Sequence, residues 1–263
     1  MPDHNPRFQF AWQVARQGGM TTLEYFQSDR FSVEKKSDCS PVTIADRNAE
    51  QRMRTEILSR FPEDGIVGEE FGEQEGTSGY RWILDPIDGT KSFICGVPLY
   101  GTMVGIEFES QCNIGAVFFP GLNEGIYAMA GSGAWHQRGN QKPVQAKAST
   151  CTNLSEAVLV TTEVLSFDKI NRASLYKDLE SSVYVTRTWG DCYGYLLMAT
   201  GQVELMVDPI LNIWDAAAVK PIVEEAGGRF VDWEGNPKID SGNAIGCCPG
   251  IYEAVMERVS KNT

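Results

Sequence analysis

Asp85 and Asp88 stand three residues apart in the segment Trp82-Ile83-Leu84-Asp85-Pro86-Ile87-Asp88-Gly89-Thr90, directly after an apolar, β-prone run. A strand ending there delivers two carboxylates to one edge of a sheet, and Pro86 stiffens the exit. Carboxylates crowded at a strand end repel one another unless a cation offsets the repulsion. Hard oxygen donors with no His or Cys beside them select Mg²⁺, or Mn²⁺, over zinc. Gly89 and Thr90 follow with backbone N–H groups that suit a phosphate oxygen if a helix or nest begins there. The chemistry implied is metal-assisted attack on a phosphate, although the same residues also suit a plain Asx turn.

Two more acidic spots have comparable settings. Gly68-Glu69-Glu70 follows the short strand Ile66-Val67, and Trp214-Asp215 opens a helical stretch that runs to Ala226. Asp215 fits a first-turn helix acid as readily as a ligand, and Glu69-Glu70 fits a solvated turn. Other phosphate chemistries fail on spacing. The Asp85–Asp88 interval is not Asp-x-Asp, no Cys precedes an Arg by six residues, and neither a G-x-x-x-x-G-K-[ST] loop nor a G-x-S-x-G elbow is present. Direct attack by metal-activated water is what remains.

These residues need a scaffold of helices and strands. Phe8, Ala11, Trp12, Ala15, Gly19 and Leu23 recur at helical spacing, and Ala49, Met53, Ile57 and Phe61 predict a second helix after Asp46 that Pro62 stops. From Gly65 short β-prone runs take over: Ile66-Val67, Tyr80 to Leu84, Tyr100 to Phe108, Ile114 to Phe119 and Gly125 to Met129. The polar stretch Gln137 to Thr152 is the best boundary, giving an N-terminal half, 1–145, and a C-terminal half, 146–263. In the second half, Ala157 to Thr161, Ser182 to Arg187 and Val203 to Val207 read as strands, and Asp191 to Thr200 as a helix. Ala216 to Ala226 reads as another helix, which Pro221 should kink. The layering expected is an α/β/α/β/α sandwich, of which periodicity alone supports only mixed α and β.

Composition narrows the function classes. The 263 residues carry 23 Lys+Arg against 35 Asp+Glu, a net charge of -12, which repels polyphosphate backbones and anionic lipid. Nucleic-acid and membrane partners are therefore not expected. Two histidines, and seven cysteines without a C-x-x-C pair, exclude an ordinary zinc site. The odd cysteine count and the lack of a secretory pattern at Met1 to Arg7 fit reduced thiols in a cytoplasm.

The motif order Gly68-Glu69-Glu70, W-I-L-D-P-I-D-G-T and Trp214-Asp215-Ala216, with Glu225-Ala226-Gly227-Gly228 trailing, resembles the inositol monophosphatase superfamily of Mg²⁺-dependent, Li⁺-sensitive phosphatases. Within it, Trp189-Gly190-Asp191-Cys192-Tyr193-Gly194-Tyr195 and Gly89 to Pro98 look like the histidinol-phosphate phosphatase branch. The resemblance implies a five-layer α/β/α/β/α sandwich of the sugar-phosphatase type and commonly a homodimer. It implies that Glu69, Asp85, the Ile87 carbonyl, Asp88 and Asp215 bind two, or three, Mg²⁺, with Asp85 bridging. Thr90, backed by Asp46, matches the pair that polarises a metal-bound water, with Glu69 assisting. Lys36 falls near a family lysine but aligns only with a gap, and receives no role.

Histidinol phosphate carries an ammonium and an imidazole, so its pocket should offer carboxylates and an aromatic wall. Asp191, Asp208, Trp189, Tyr193 and Tyr195 supply those groups, with Asp88, Gly89 and Thr90 on the phosphate side; core packing is the expected fate of at least one tyrosine. The alternatives are a broader inositol- or sugar-phosphate phosphatase and a non-catalytic sensor of a phosphorylated ligand. The sensor has no need of the Thr90–Asp46 pair.

Overall fold

The computed structural model describes residues 5–28, 33–35 and 41–262, so Lys36 lies outside the described residues. The first half runs α1 (Pro6–Leu23), β1 (Val33–Lys35), β2 (Pro41–Thr43), α2 (Ile44–Arg60), β3 (Gly65–Gly68), β4 (Gly72–Gln74), β5 (Tyr80–Asp88) and α3 (Thr90–Ile94). It continues through β6 (Gly101–Phe108), β7 (Gln111–Phe119), β8 (Glu124–Met129), β9 (Ala134–Arg138) and β10 (Val144–Gln145). The second half runs β11 (Val158–Val160), α4 (Leu165–Lys169), α5 (Ala173–Ser182), β12 (Val185–Arg187), α6 (Asp191–Ala199) and β13 (Leu205–Asp208). It closes with α7 (Ile213–Ala217), α8 (Val219–Glu225), β14 (Arg229–Val231), β15 (Ala244–Cys247) and α9 (Tyr252–Lys261).

Among the described residues β1 and β2 pair as a small hairpin, and the other strands form two larger sheets. One has the order β10-β9-β8-β7-β6-β5-β3-β4 and the other β12-β11-β13-β15-β14. Side-chain alternation then builds the layers, because successive residues of a strand face opposite sides. Val104 and Ile106 pack with Phe10, Val14, Met53 and Ile57 of α1 and α2, whereas Met103 faces Val219 and Val223 of α8. In the second sheet Met206 joins that same middle layer, while Leu205 and Val207 meet Leu179 of α5 and Val255 of α9. The result is the expected α/β/α/β/α sandwich. Strands covered on both faces explain the nearly continuous apolar runs in the sequence.

The last strand of the first sheet ends at Gln145 and the first of the second begins at Val158, yet the middle helices join the two sheets in one core. Several elements differ from expectation. Ser182 closes α5 instead of opening a strand, since Leu175 and Leu179 make a buried i, i+4 face. The stretch from Trp214 to Ala226 is two helices divided at Ala218, and Pro221 sits in the first turn of the second, where its missing N–H costs least. The Ala217 carbonyl, left without a Pro221 N–H, accepts instead from the Cys112 thiol at 2.9 Å. The edge strands β4 and β10, and β9 beside β10, were too short or too polar to read from the sequence.

Candidate active site

Asp85 and Asp88 share one side of the sheet because β5 is irregular. Residues three apart on a regular strand face opposite ways. Here Asp85 pairs with Met103 and Asp88 with Gly101, so one extra residue is accommodated between them. Pro86, which has no N–H for the ladder, lies in that bulge, and its carbonyl accepts from the Thr102 hydroxyl at 2.7 Å. Asp85 Oδ1 takes the Ile87 N–H at 2.9 Å. Gly89 follows with a left-handed φ of 82°, which turns the chain into α3 with Thr90 at its first position.

Asp215 arrives from the C-terminal half as the third residue of α7. Its Oδ2 accepts the Asn212 N–H at 2.7 Å and the Asn212 side-chain amide at 3.2 Å, closing a capping box. The cap therefore engages only Oδ2. Carboxylate oxygens of Asp85, Asp88 and Asp215 all lie within 4.8 Å of one another. Glu69, just beyond β3, stands outside that triad but is the strongest neighbouring charge on Asp85. Burial, then the charges of Glu69, Asp88 and Asp215, push the Asp85 carboxyl well above the usual range. Burial, then Asp191 and Asp215, do the same to Asp88, although the Cys192 N–H donates to it.

A second pair of acids lines the same cleft. Asp208 at the end of β13 and Asp191 at the start of α6 surround a hollow with Thr162, Tyr195, Ile210 and Leu211. The Thr162 hydroxyl donates to Asp208 Oδ1 at 2.9 Å and accepts the Asp191 N–H at 2.8 Å. Asp191 holds a left-handed φ of 51°, uncommon outside glycine, so its placement is imposed by its surroundings. Burial raises Asp208 to about 7, and burial with the Asp215 charge raises Asp191 to about 6, against the pull of Lys91. Thr162 and the Cys192 amide were invisible in the sequence: each acts through a contact between segments far apart in the chain.

The remaining expected residues fall as follows. The Thr90 hydroxyl donates to the Ile87 carbonyl at 3.1 Å. Asp46 is the third residue of α2, not its N-cap; Thr43 is the cap and gives Asp46 Oδ2 both its N–H at 2.8 Å and its hydroxyl at 2.6 Å. Thr90 and Asp46 are thus not hydrogen-bonded to each other. Burial, countered by Thr43, raises Asp46 to about 6. Only part of the expected aromatic wall reaches the cleft. Tyr195 lines the cleft, Tyr193 packs edge-on against Phe119 at 5.4 Å, and Trp189 is exposed with Arg187 above its ring. Cys95 is exposed and Cys192 buried.

The donor set is carboxylate and carbonyl oxygen throughout, gathered where uncompensated anions repel, and this fits a hard divalent cation. No helix among the described residues is long and apolar enough to cross a membrane. Residues 3–262 match the inositol monophosphatase family. A histidinol-phosphatase of Chlorobaculum parvum is 44% identical over 240 residues, 91% of each chain. A second, from Streptomyces coelicolor, is 35% identical over 260 residues, 97% of each. A solved structure of an IMPase from Thermotoga maritima superposes with a TM-score of 0.84 at 29% identity, covering 97% of both chains. This chain belongs to the inositol monophosphatase family of phosphoric monoester hydrolases.

Proposed function

We propose that this phosphatase hydrolyses histidinol phosphate to histidinol and phosphate, with Mg²⁺ held by Glu69, Asp85, the Ile87 carbonyl, Asp88 and Asp215. The observation that carries this reading is the second carboxylate pair, Asp191 and Asp208, set in one cleft with Asp88 and Asp215 of the acidic triad. An inositol ring offers only hydroxyls, whereas a cationic amine gains directly from two anions. The resemblance to histidinol-phosphatases points the same way.

A divalent cation at the acidic cluster lowers the pKa of water toward neutrality and offsets the charge that develops on the leaving oxygen. These ligands would hold two such ions, Asp85 among the residues shared by the cluster; Mn²⁺ would fit the same ligands, and Li⁺ inhibition is what the family resemblance implies. In the reaction, a water oxygen bonds to phosphorus as the ester P–O bond breaks, the leaving alkoxide takes a proton from solvent water, and the proton lost by the attacking water passes to Glu69 and then to solvent. Glu69 accepts the proton of the attacking water, and Thr90 orients it. The Ile87 carbonyl has two lone pairs, so it could serve a cation while still accepting the Thr90 hydroxyl, and Asp46 would back Thr90 as the family resemblance implies. The N–H groups of Gly89 and Thr90, at the open end of α3, face the transferring phosphoryl oxygens. Asp191 and Asp208 bind the ammonium.

Phosphate release from histidinol phosphate, inositol 1-phosphate, fructose 1,6-bisphosphate and adenosine 3′,5′-bisphosphate tests the substrate. The highest kcat/KM is expected for histidinol phosphate; a higher value for any other sinks the assignment. The likeness to an IMPase structure favours inositol 1-phosphate as the second reading. Asp208→Asn should lower kcat/KM for histidinol phosphate roughly 10- to 100-fold, the worth of a charge-assisted hydrogen bond, and spare inositol 1-phosphate. Equal losses on both would remove its selectivity role. Thr162→Val, which strands the Asp191 N–H and one bond to Asp208, should raise KM for histidinol phosphate about tenfold. Thr162→Ser should hold it near the parent value, and identical KM values for the two variants would contradict the clamp.

A further inference from the structure

One fully buried carboxylate near the site has no part in the chemistry above. Glu50 lies on α2 one turn beyond Asp46 and is 0% exposed. Its Oε2 accepts the Glu70 N–H at 2.7 Å, and its Oε1 accepts the Phe71 N–H at 3.3 Å and Arg54 Nε at 2.7 Å. Arg54 in turn donates to the Gly72 carbonyl. The turn that follows Glu69 is therefore fastened to α2 at consecutive positions, while the Glu69 N–H itself donates to the Leu84 carbonyl of β5 at 3.2 Å. Gly68 completes the fit, because a Cβ there would lie 2.0 Å from Glu50 Oε1.

Stability alone does not account for this arrangement. The turn is part-exposed, so water would satisfy its N–H groups, whereas burying a carboxylate and a guanidinium carries a large desolvation cost. The geometry instead serves to fix the direction in which Glu69 leaves the sheet.

We propose that Glu50 is a positioning residue that holds Glu69 in place for cation binding by tying residues 70–72 to α2. The proposal rests on the reading of Glu69 as a ligand. It acts through backbone amides, so Glu50 touches neither cation nor substrate.

Two variants test it. Glu50→Gln keeps the shape but removes the charge, and Gly68→Ala changes no charge but displaces the Glu50 carboxylate. For each, the Mg²⁺ concentration at half-maximal phosphate release is measured, together with Mn²⁺ binding by calorimetry without substrate. Both variants should need about tenfold more Mg²⁺ and bind Mn²⁺ correspondingly more weakly, the usual scale for a lost ligand support. At saturating Mg²⁺, kcat should return to within a few-fold of the parent with KM little changed, which general destabilisation would not produce. If Glu50→Gln fails to melt cooperatively, Gly68→Ala decides alone. Parent-like Mg²⁺ and Mn²⁺ values in a cooperatively melting variant overturn the role of Glu50. A parent enzyme indifferent to Mg²⁺ overturns the metal reading and the proposal together.

Discussion

Asp85→Asn is expected to lower phosphatase turnover roughly 10³-fold or more, the scale of losing preorganised charge stabilisation, while melting above the parent when both are held in chelator at pH 8. Asp85 is nearly fully buried and faces the charges of Glu69, Asp88 and Asp215. Asparagine keeps an oxygen for the Ile87 N–H, which now sits 2.9 Å from Asp85 Oδ1, and it removes one charge from a repelling cluster. Function and stability should therefore move in opposite directions. Asp215→Asn should behave likewise, since the amide oxygen still serves the Asn212 cap. Turnover within tenfold of the parent would refute the ligand assignment. A lower melting temperature in chelator would show that the cluster is not repulsive without cations.

The second large effect is the pH dependence of the metal-free protein. Burial raises Asp46 and Asp191 to about 6 and Asp208 to about 7, and lifts Asp85 and Asp88 well above the carboxylate range. A carboxyl whose pKa is raised on folding holds its proton in the native state while the unfolded chain has lost it. Native protein then binds more protons, so stability falls as pH rises from the unfolded value near 3.8 through the raised values. In chelator the melting temperature should drop steadily from pH 5 to pH 8, by a free energy on the order of several kcal/mol. Mg²⁺ should oppose this most at the alkaline end, where the carboxylates are ionised, adding about 2.7 kcal/mol at a hundredfold excess over its Kd. A flat profile in chelator, or equal Mg²⁺ stabilisation at pH 5 and pH 8, would contradict the picture.

What the sequence discloses about this site follows from how local each feature is. The Asp85–Asp88 segment, Glu69 after its strand and Asp215 at a helix start are visible because each is set by neighbours in the chain. The caps go unread, although Thr43-Ile44-Ala45-Asp46 and Asn212-Ile213-Trp214-Asp215 both place an acid three residues after a cap: the apolar spacing predicts that α2 starts after Asp46, whereas Thr43 caps it. The bulge that brings Asp85 and Asp88 to one face is foreshadowed only by Pro86. Thr162, the Cys192 amide and Glu50 could not be found, because each acts on a segment remote in sequence. The tyrosines show the same limit: Tyr193 and Tyr195 are two residues apart on α6, about 200° around the helix, and only packing decides that Tyr195 reaches the cleft.

Phosphate release from histidinol phosphate by the parent protein, stripped exhaustively with chelator and then titrated with Mg²⁺, bears most directly on whether acids from β5, the Glu69 turn and α7 act through bound cations. Turnover should fall to background in chelator and return in full as Mg²⁺ is restored. Turnover that persists after complete removal of divalent ions would contradict it.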